Sequence, residues 1–207
     1  MKRNVKRYIR NYIGKILITI GIILILAVIG IRFHTINNQE KNIRSFLNYR
    51  ENCLRNENQD LSQESETASA KNSVVIEENL IGIMNIEKID LSVAIAEGTT
   101  KEALRYSVGH FEDTSLPGEV GNACFVGHRS YAFGEYFNRL DELEIGDQIE
   151  ILTAKDTLTY EVTESFVVEP EDIWVLKQTD EEIITLVTCT PVRIATHRLI
   201  IRAKRVK

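Results

Sequence analysis

Between Ile16 and Ile31 the chain runs sixteen residues without a charge, dominated by Ile and Leu. No other stretch constrains its fold as strongly. As a helix this run covers about 24 Å at about 1.5 Å per residue, short of a hydrocarbon core of about 30 Å. Counting from Tyr12 to Phe33 closes the gap if Lys15 and Arg32 reach to the two interfaces. Before it stand Lys2, Arg3, Lys6, Arg7, Arg10 and Lys15 with no acid, a charge of +6. Taking +6 from the whole chain's −5 leaves −11 on everything that follows. A cleaved signal peptide shares this basic head and apolar centre, but Arg32, Phe33 and His34 follow where small residues would mark a cleavage site. We therefore expect a basic cytoplasmic head over 1–15 and an uncleaved transmembrane signal anchor over 16–33. Positive charge stays inside, which puts everything after Phe33 outside the cell.

The next stretch, 34–79, is polar, with Asn37-Asn38-Gln39-Glu40 early and Gln63-Glu64-Ser65-Glu66-Thr67 later. Arg44 to Leu54 has the pattern for a short amphipathic turn or two. From Asn56 to Asn72 there is too little apolar surface to offset the entropy of ordering, so 34–79 reads as a stalk. That leaves 80–207 for one folded domain with a single core. Its candidate strands are Leu80 to Ile86, Leu91 to Ala96, Ala123 to Gly127, Gln148 to Leu152, Leu158 to Val168, Ile183 to Thr188 and Arg198 to Val206. Thr100 to Tyr106 and Tyr136 to Leu143 read as short helices. Many short strands with few helices point to an all-β barrel or sandwich.

Two of these strands carry the chemistry. Ile183 to Val187 is β-branched and apolar on both faces, so Cys189 sits near its end, where Thr190-Pro191 stops the pairing. Leu199, Ile201 and Ala203 alternate with Arg198, Ile200, Arg202 and Lys204, one apolar face against one mostly polar. If the two form a hairpin, Cys189 and Arg198 meet at one rim. A fixed cation beside a thiol favours the thiolate, the nucleophilic form.

A catalytic cysteine also calls for a proton carrier, and the chain has four histidines: His34, His110, His128 and His197. His128 follows the apolar run Asn122 to Gly127, which would hold it at a strand terminus. His34 lies beside the membrane segment, His197 shares the parity of Leu199, and His110 falls in a loop with Glu112, Asp113, Pro117 and Gly118. Spacing alone favours His128 without removing the others.

At these residues the chain resembles the sortases, cysteine transpeptidases that attach proteins to the cell wall of Gram-positive bacteria or link pilin subunits. The family's Thr-Leu-x-Thr-Cys motif stands as Thr185 to Cys189, its arginine as Arg198 in Thr196-His197-Arg198-Leu199, and its histidine as His128 in Gly127-His128-Arg129. Gly109-His110-Phe111, Thr114 to Gly118, Gly121-Asn122 and Phe137 to Asp147 are similar to the segments around that histidine. The resemblance covers about Leu80 to Val206. It implies an eight-stranded barrel with its groove on the outside, preceded here by the transmembrane helix. It also implies roles: Cys189 as nucleophile, His128 as general acid and base, and Arg198 as oxyanion and substrate stabiliser. Substrates would be secreted proteins with a C-terminal Leu-Pro-x-Thr-Gly-like sorting signal, transferred to an amine of the cell-wall peptidoglycan precursor. Thr188, Val187, Trp174 and Ile200 are the expected substrate-binding residues. Neither a second apolar run near the C-terminus nor a lid loop over the cysteine is evident, which points to class D, with the pilin-polymerising class C as the nearest alternative. A peptidase that only hydrolyses and a non-enzymatic anchored binding module remain rivals.

The remaining residues have plainer readings. Cys124 lies in an apolar strand as an inert buried thiol. Cys53 is either an exposed thiol or one half of an intermolecular disulfide. Arg202, Lys204, Arg205 and Lys207 form a solvated basic tail. An acidic ectodomain gives nucleic-acid binding no support. No HExxH or CxxC spacing occurs and the acidic loops lack regular ligand spacing, so neither metal nor cofactor is expected.

Overall fold

The computed structural model describes residues 2–60, 79–129 and 136–206. Eight strands close into a barrel in the order β1-β2-β3-β4-β7-β8-β6-β5. They are β1 (Leu80–Ile86), β2 (Leu91–Glu97), β3 (Val108–His110), β4 (Gly121–Val126), β5 (Gln148–Leu152), β6 (Thr157–Val168), β7 (Glu182–Thr190) and β8 (His197–Val206). Closure leaves no unpaired sheet edge. The β2–β3 and β4–β7 pairs are parallel, and every other pair is antiparallel.

The period of two in these strands sorts side chains between two apolar clusters. Met84, Ile95, Phe125, Ile149, Ile151, Tyr160, Ile184, Leu186 and Ile201 fill the barrel interior. A smaller cluster lies on the outside, made by Val168, Val175, Val187 and Ile200 with Phe111, Val126, Phe166 and Leu176 against them. The strand register explains it: Val126 pairs Val187, Val187 pairs Ile200, and Ile200 pairs Phe166, one row across four strands.

Four sequence expectations meet different structure. The helix expected over Thr100 to Tyr106 is a single turn, α2 (Ala103–Tyr106), and that over Tyr136 to Leu143 contains only the 3-10 turn Leu140–Glu142. His110, expected in a loop, ends β3 and is buried beside Phe125. The polar stretch after Phe33 is also not irregular: one helix, α1, runs Lys2–Asp60. Its apolar part around Ile16 to Ile31 is long and apolar enough to cross a membrane. Contacts divide the chain into two units, Met1–Asn37 and Asn38–Lys207, so the end of α1 belongs with the barrel. Asn42 and Phe46 are buried there, and Arg50 donates to Thr157 Oγ1 at 2.9 Å. These residues stand four apart and so share one helix face. Residues 61–78 of the expected stalk lie outside the described residues.

Candidate active site

β7 and β8 pair antiparallel with Cys189 directly opposite Arg198, and β6 adds Val168 opposite Arg198. All three continue the outer face of the barrel, one row beyond Val187, Ile200 and Phe166. Cys189 is a free, half-buried thiol. β4 runs parallel to β7 and ends at Val126 beside Val187, so His128, two residues on, arrives level with Cys189. Two bonds hold that approach: Gly127 N donates to the Val187 carbonyl at 3.2 Å, and Thr188 Oγ1 donates to the Gly127 carbonyl at 2.8 Å. Gly127 must be glycine, because a Cβ there would meet Phe137 Cδ2 at 2.8 Å. His128 itself is exposed.

Arg198 is oriented by its own hairpin loop. Its Nη1 donates to the carbonyls of His197 at 3.0 Å and Ala195 at 3.2 Å. Arg193 and Ala195 in that loop hold left-handed φ of 69° and 60°, a sparsely populated conformation for residues with a Cβ.

The other histidines stand elsewhere. His110 pairs with Phe125 of the interior cluster, on the face opposite Cys189. Its Nδ1 meets Glu97 Oε1 at 2.9 Å and its Nε2 meets the Ser115 carbonyl at 2.9 Å. His197 lies 3.2 Å from Glu169 Oε1 through Nε2. His34 is part of α1. Cys124 is fully buried, and burial pushes its thiol up to about 12, which keeps it unreactive at neutral pH.

Of the four residues expected to bind substrate, Val187 and Ile200 lie next to the Cys189 row on the outer face but are themselves buried, covered by Phe111, Val126, Phe166 and Leu176. Trp174 lies in the 3-10 turn Ile173–Leu176 of the β6–β7 connection, 43% exposed. Its ring stacks on Phe166 at 5.7 Å, with the Arg202 guanidinium over both rings. Thr188 is different. It shares the parity of Ile184 and Leu186, is 1% exposed, and spends its hydroxyl on Gly127. Its place is structural, inside the wall rather than in the groove. Among the described residues no group of three or more His, Cys, Asp or Glu side chains is arranged to hold a metal.

Sequence reasoning missed Asn122, which pins the β6–β7 connection. This fully buried side chain donates through Nδ2 to the carbonyls of Val175 at 3.0 Å and Lys177 at 3.1 Å, and accepts from Thr185 Oγ1 at 2.7 Å. Gln178 closes the network against the Asn122 backbone on both sides. Asn122→Ala leaves several buried groups without partners and should cost about 1–3 kcal/mol. A urea titration showing an unchanged midpoint at unchanged slope would remove Asn122 from this role.

The arrangement puts a thiol, a guanidinium and an exposed imidazole along one rim, next to a buried apolar cluster on the same face. Comparison with known proteins identifies the frame. A family profile described as "Sortase domain" matches residues 84–206. The chain belongs to the sortase family. Among curated sortases, it is 37% identical over 129 residues to Sortase D of Bacillus subtilis (strain 168), covering 60% of this chain and 63% of that protein. It is 33% identical over 141 residues to Sortase SrtE1 of Streptomyces coelicolor, covering 60% of this chain and 40% of that protein. The match thus spans less than two thirds of either curated relative. Among solved structures, the Clostridium perfringens Sortase D5 transpeptidase superposes with a TM-score of 0.62 at 34% identity, covering 80% of this chain and 98% of that one. Sortase C1 of GBS Pilus Island 1 gives 0.64 at 29% identity, covering 82% and 92%. The class D resemblance, with class C next, agrees with these sortases.

Proposed function

We propose that this sortase is a membrane-anchored cysteine transpeptidase acting on secreted proteins with a Leu-Pro-x-Thr-Gly-like sorting signal. The observation that carries this reading is the register that sets Cys189 against Arg198 at the strand ends beside His128. The Cys189 thiolate attacks the carbonyl after the threonine, and Arg198 stabilises the oxyanion of the tetrahedral intermediate. The C–N bond breaks as protonated His128 gives its proton to the leaving amine, and a Cys189 thioester remains. An amine of the cell-wall precursor then attacks the thioester and His128 takes its proton. A new amide forms and the thiolate is released.

The acceptor separates the readings. Resemblance to class C structures favours, as second choice, a pilin lysine in place of the wall amine. Full-length protein in detergent, acylated by a sorting-signal peptide, should pass the acyl group to a wall-type amine faster than to water. Preference for a pilin lysine would move the assignment to class C, and release to water alone would make it a peptidase.

The anchor reading adds an orientation. With six basic residues before Ile16 and only Arg32 just after the run, the N-terminus is cytoplasmic and the barrel outside. Protease added to intact protoplasts should remove the barrel and spare the basic head. Survival of the barrel under those conditions reverses the orientation.

A further inference from the structure

Arg129 follows His128 directly, and its side chain is 5% exposed. A guanidinium is rarely so deeply covered unless each edge of its fork has a partner. Here each edge does. Nη1 donates to Thr190 Oγ1 at 3.0 Å, Nε donates to the Asn138 carbonyl at 3.3 Å, and Nη2 lies 2.6 Å from Asp141 Oδ1. These partners come from three places: the residue after Cys189, Asn138, and the 3-10 turn Leu140–Glu142. The Phe137 N–H also reaches the His128 carbonyl at 3.4 Å, a backbone bond beside the Arg129–Asn138 contact.

The bonds between the two strand ends are ordered. Before the reactive pair, Thr188 Oγ1 binds the Gly127 carbonyl; after it, Arg129 binds Thr190 Oγ1. His128 and Cys189 therefore sit between two side-chain tethers that join β7 to the chain leaving β4. The paired register of β4 with β7 ends at Val126 while β7 continues to Thr190, and Gly127 N still donates to the Val187 carbonyl just past that point. An exposed imidazole past the end of its strand would otherwise drift relative to the thiol.

We propose that Arg129 is a positioning residue that fixes the His128–Cys189 geometry through Thr190. The proposal rests on the transpeptidase reading above. Arginine suits this task where lysine does not, because a planar fork reaches three partners in fixed directions and an ammonium does not.

The test turns on Thr190, because its substitutions are mild and separate a tether from packing. If Thr190 served only the strand, valine would be the better replacement and serine the worse, by β-propensity. A tether through the hydroxyl predicts the opposite order. Using full-length protein in detergent and the sorting-signal peptide that acylates wild type, single-turnover acylation of Thr190→Val should fall about tenfold or more, as expected for a small misplacement of reacting groups. Thr190→Ser should stay within about threefold of wild type, and the half-saturating peptide concentration should not move in either. Thr190→Val leaves the Arg129 charge in place, so its defect reports the tether rather than the charge. Arg129→Lys should be slowed at least as much as Thr190→Val, and the double variant no further than the slower single, since both break one contact. If valine acylates at the wild-type rate while serine is slowed, or if the two substitutions add independently, Arg129 does not position the pair. If the half-saturating concentration rises while the maximal rate holds, Arg129 shapes the peptide groove instead and the proposal falls. If wild type itself forms no adduct at Cys189, the transpeptidase reading fails first and takes this one with it.

Discussion

Full-length Cys189→Ala should gain no mass from a sorting-signal peptide, whereas wild type should gain the acyl fragment on the tryptic peptide containing residue 189. Removing the attacking atom from a covalent mechanism leaves no alternative route, so cleavage should fall about a thousandfold or more. The other cysteines do not replace it. Cys124 is sealed under the outer face with its thiol pushed up by burial, and Cys53 lies on α1. Cleavage that persists in the alanine variant ends the nucleophile assignment. His128→Ala in the same assay then distinguishes a failed proton carrier from a failed fold, because in a folded variant iodoacetamide alkylates Cys189 while buried Cys124 stays protected.

Arg198→Lys is expected to slow acylation about a hundredfold, the usual cost of losing one well-placed oxyanion donor. A lysine keeps the positive charge near the thiol but has no fork to be steered by the Ala195 and His197 carbonyls that hold Arg198. Alkylation of Cys189 by iodoacetamide, read on its own peptide across pH, should change much less than acylation. The gap between the two measurements separates orienting an oxyanion from merely attracting a thiolate. A lysine variant that acylates at the wild-type rate returns Arg198 to the role of a solvated strand arginine.

The strand pair carrying Cys189 and Arg198 was legible because its signals are local. β-branched residues mark β7, alternation marks β8, and a short loop with a proline forces the two ends together. The barrel was legible through family resemblance, since seven strand-like segments leave a sandwich open. β3 was not legible. Three residues show no period, and His110 is buried only because distant β2 and β4 lie on either side. The helical end of α1 was partly legible, as the amphipathic pattern of Arg44 to Leu54, but its packing was not. Phe46 with Asn42 and Arg50 makes a narrow face whose partner cannot be read from the chain. Thr188 could have been placed correctly. Period two already sets it opposite Cys189, so Thr188 and Val187 could not both line one groove. Arg129 left no trace in the sequence, because a buried and an exposed arginine are the same letter.

In β7, neighbouring letters answer to different masters. Ile184, Leu186 and Thr188 serve the barrel interior and its closure, while Thr185, Val187 and Cys189 serve the outer face. The two sets meet only through the backbone. A change on the outer face can therefore leave the inner set untouched, provided Thr185 keeps its bond to Asn122 and Cys189 stays in place. Substitutions on this strand are therefore better tried at alternate residues, Val187 among them, than over whole segments.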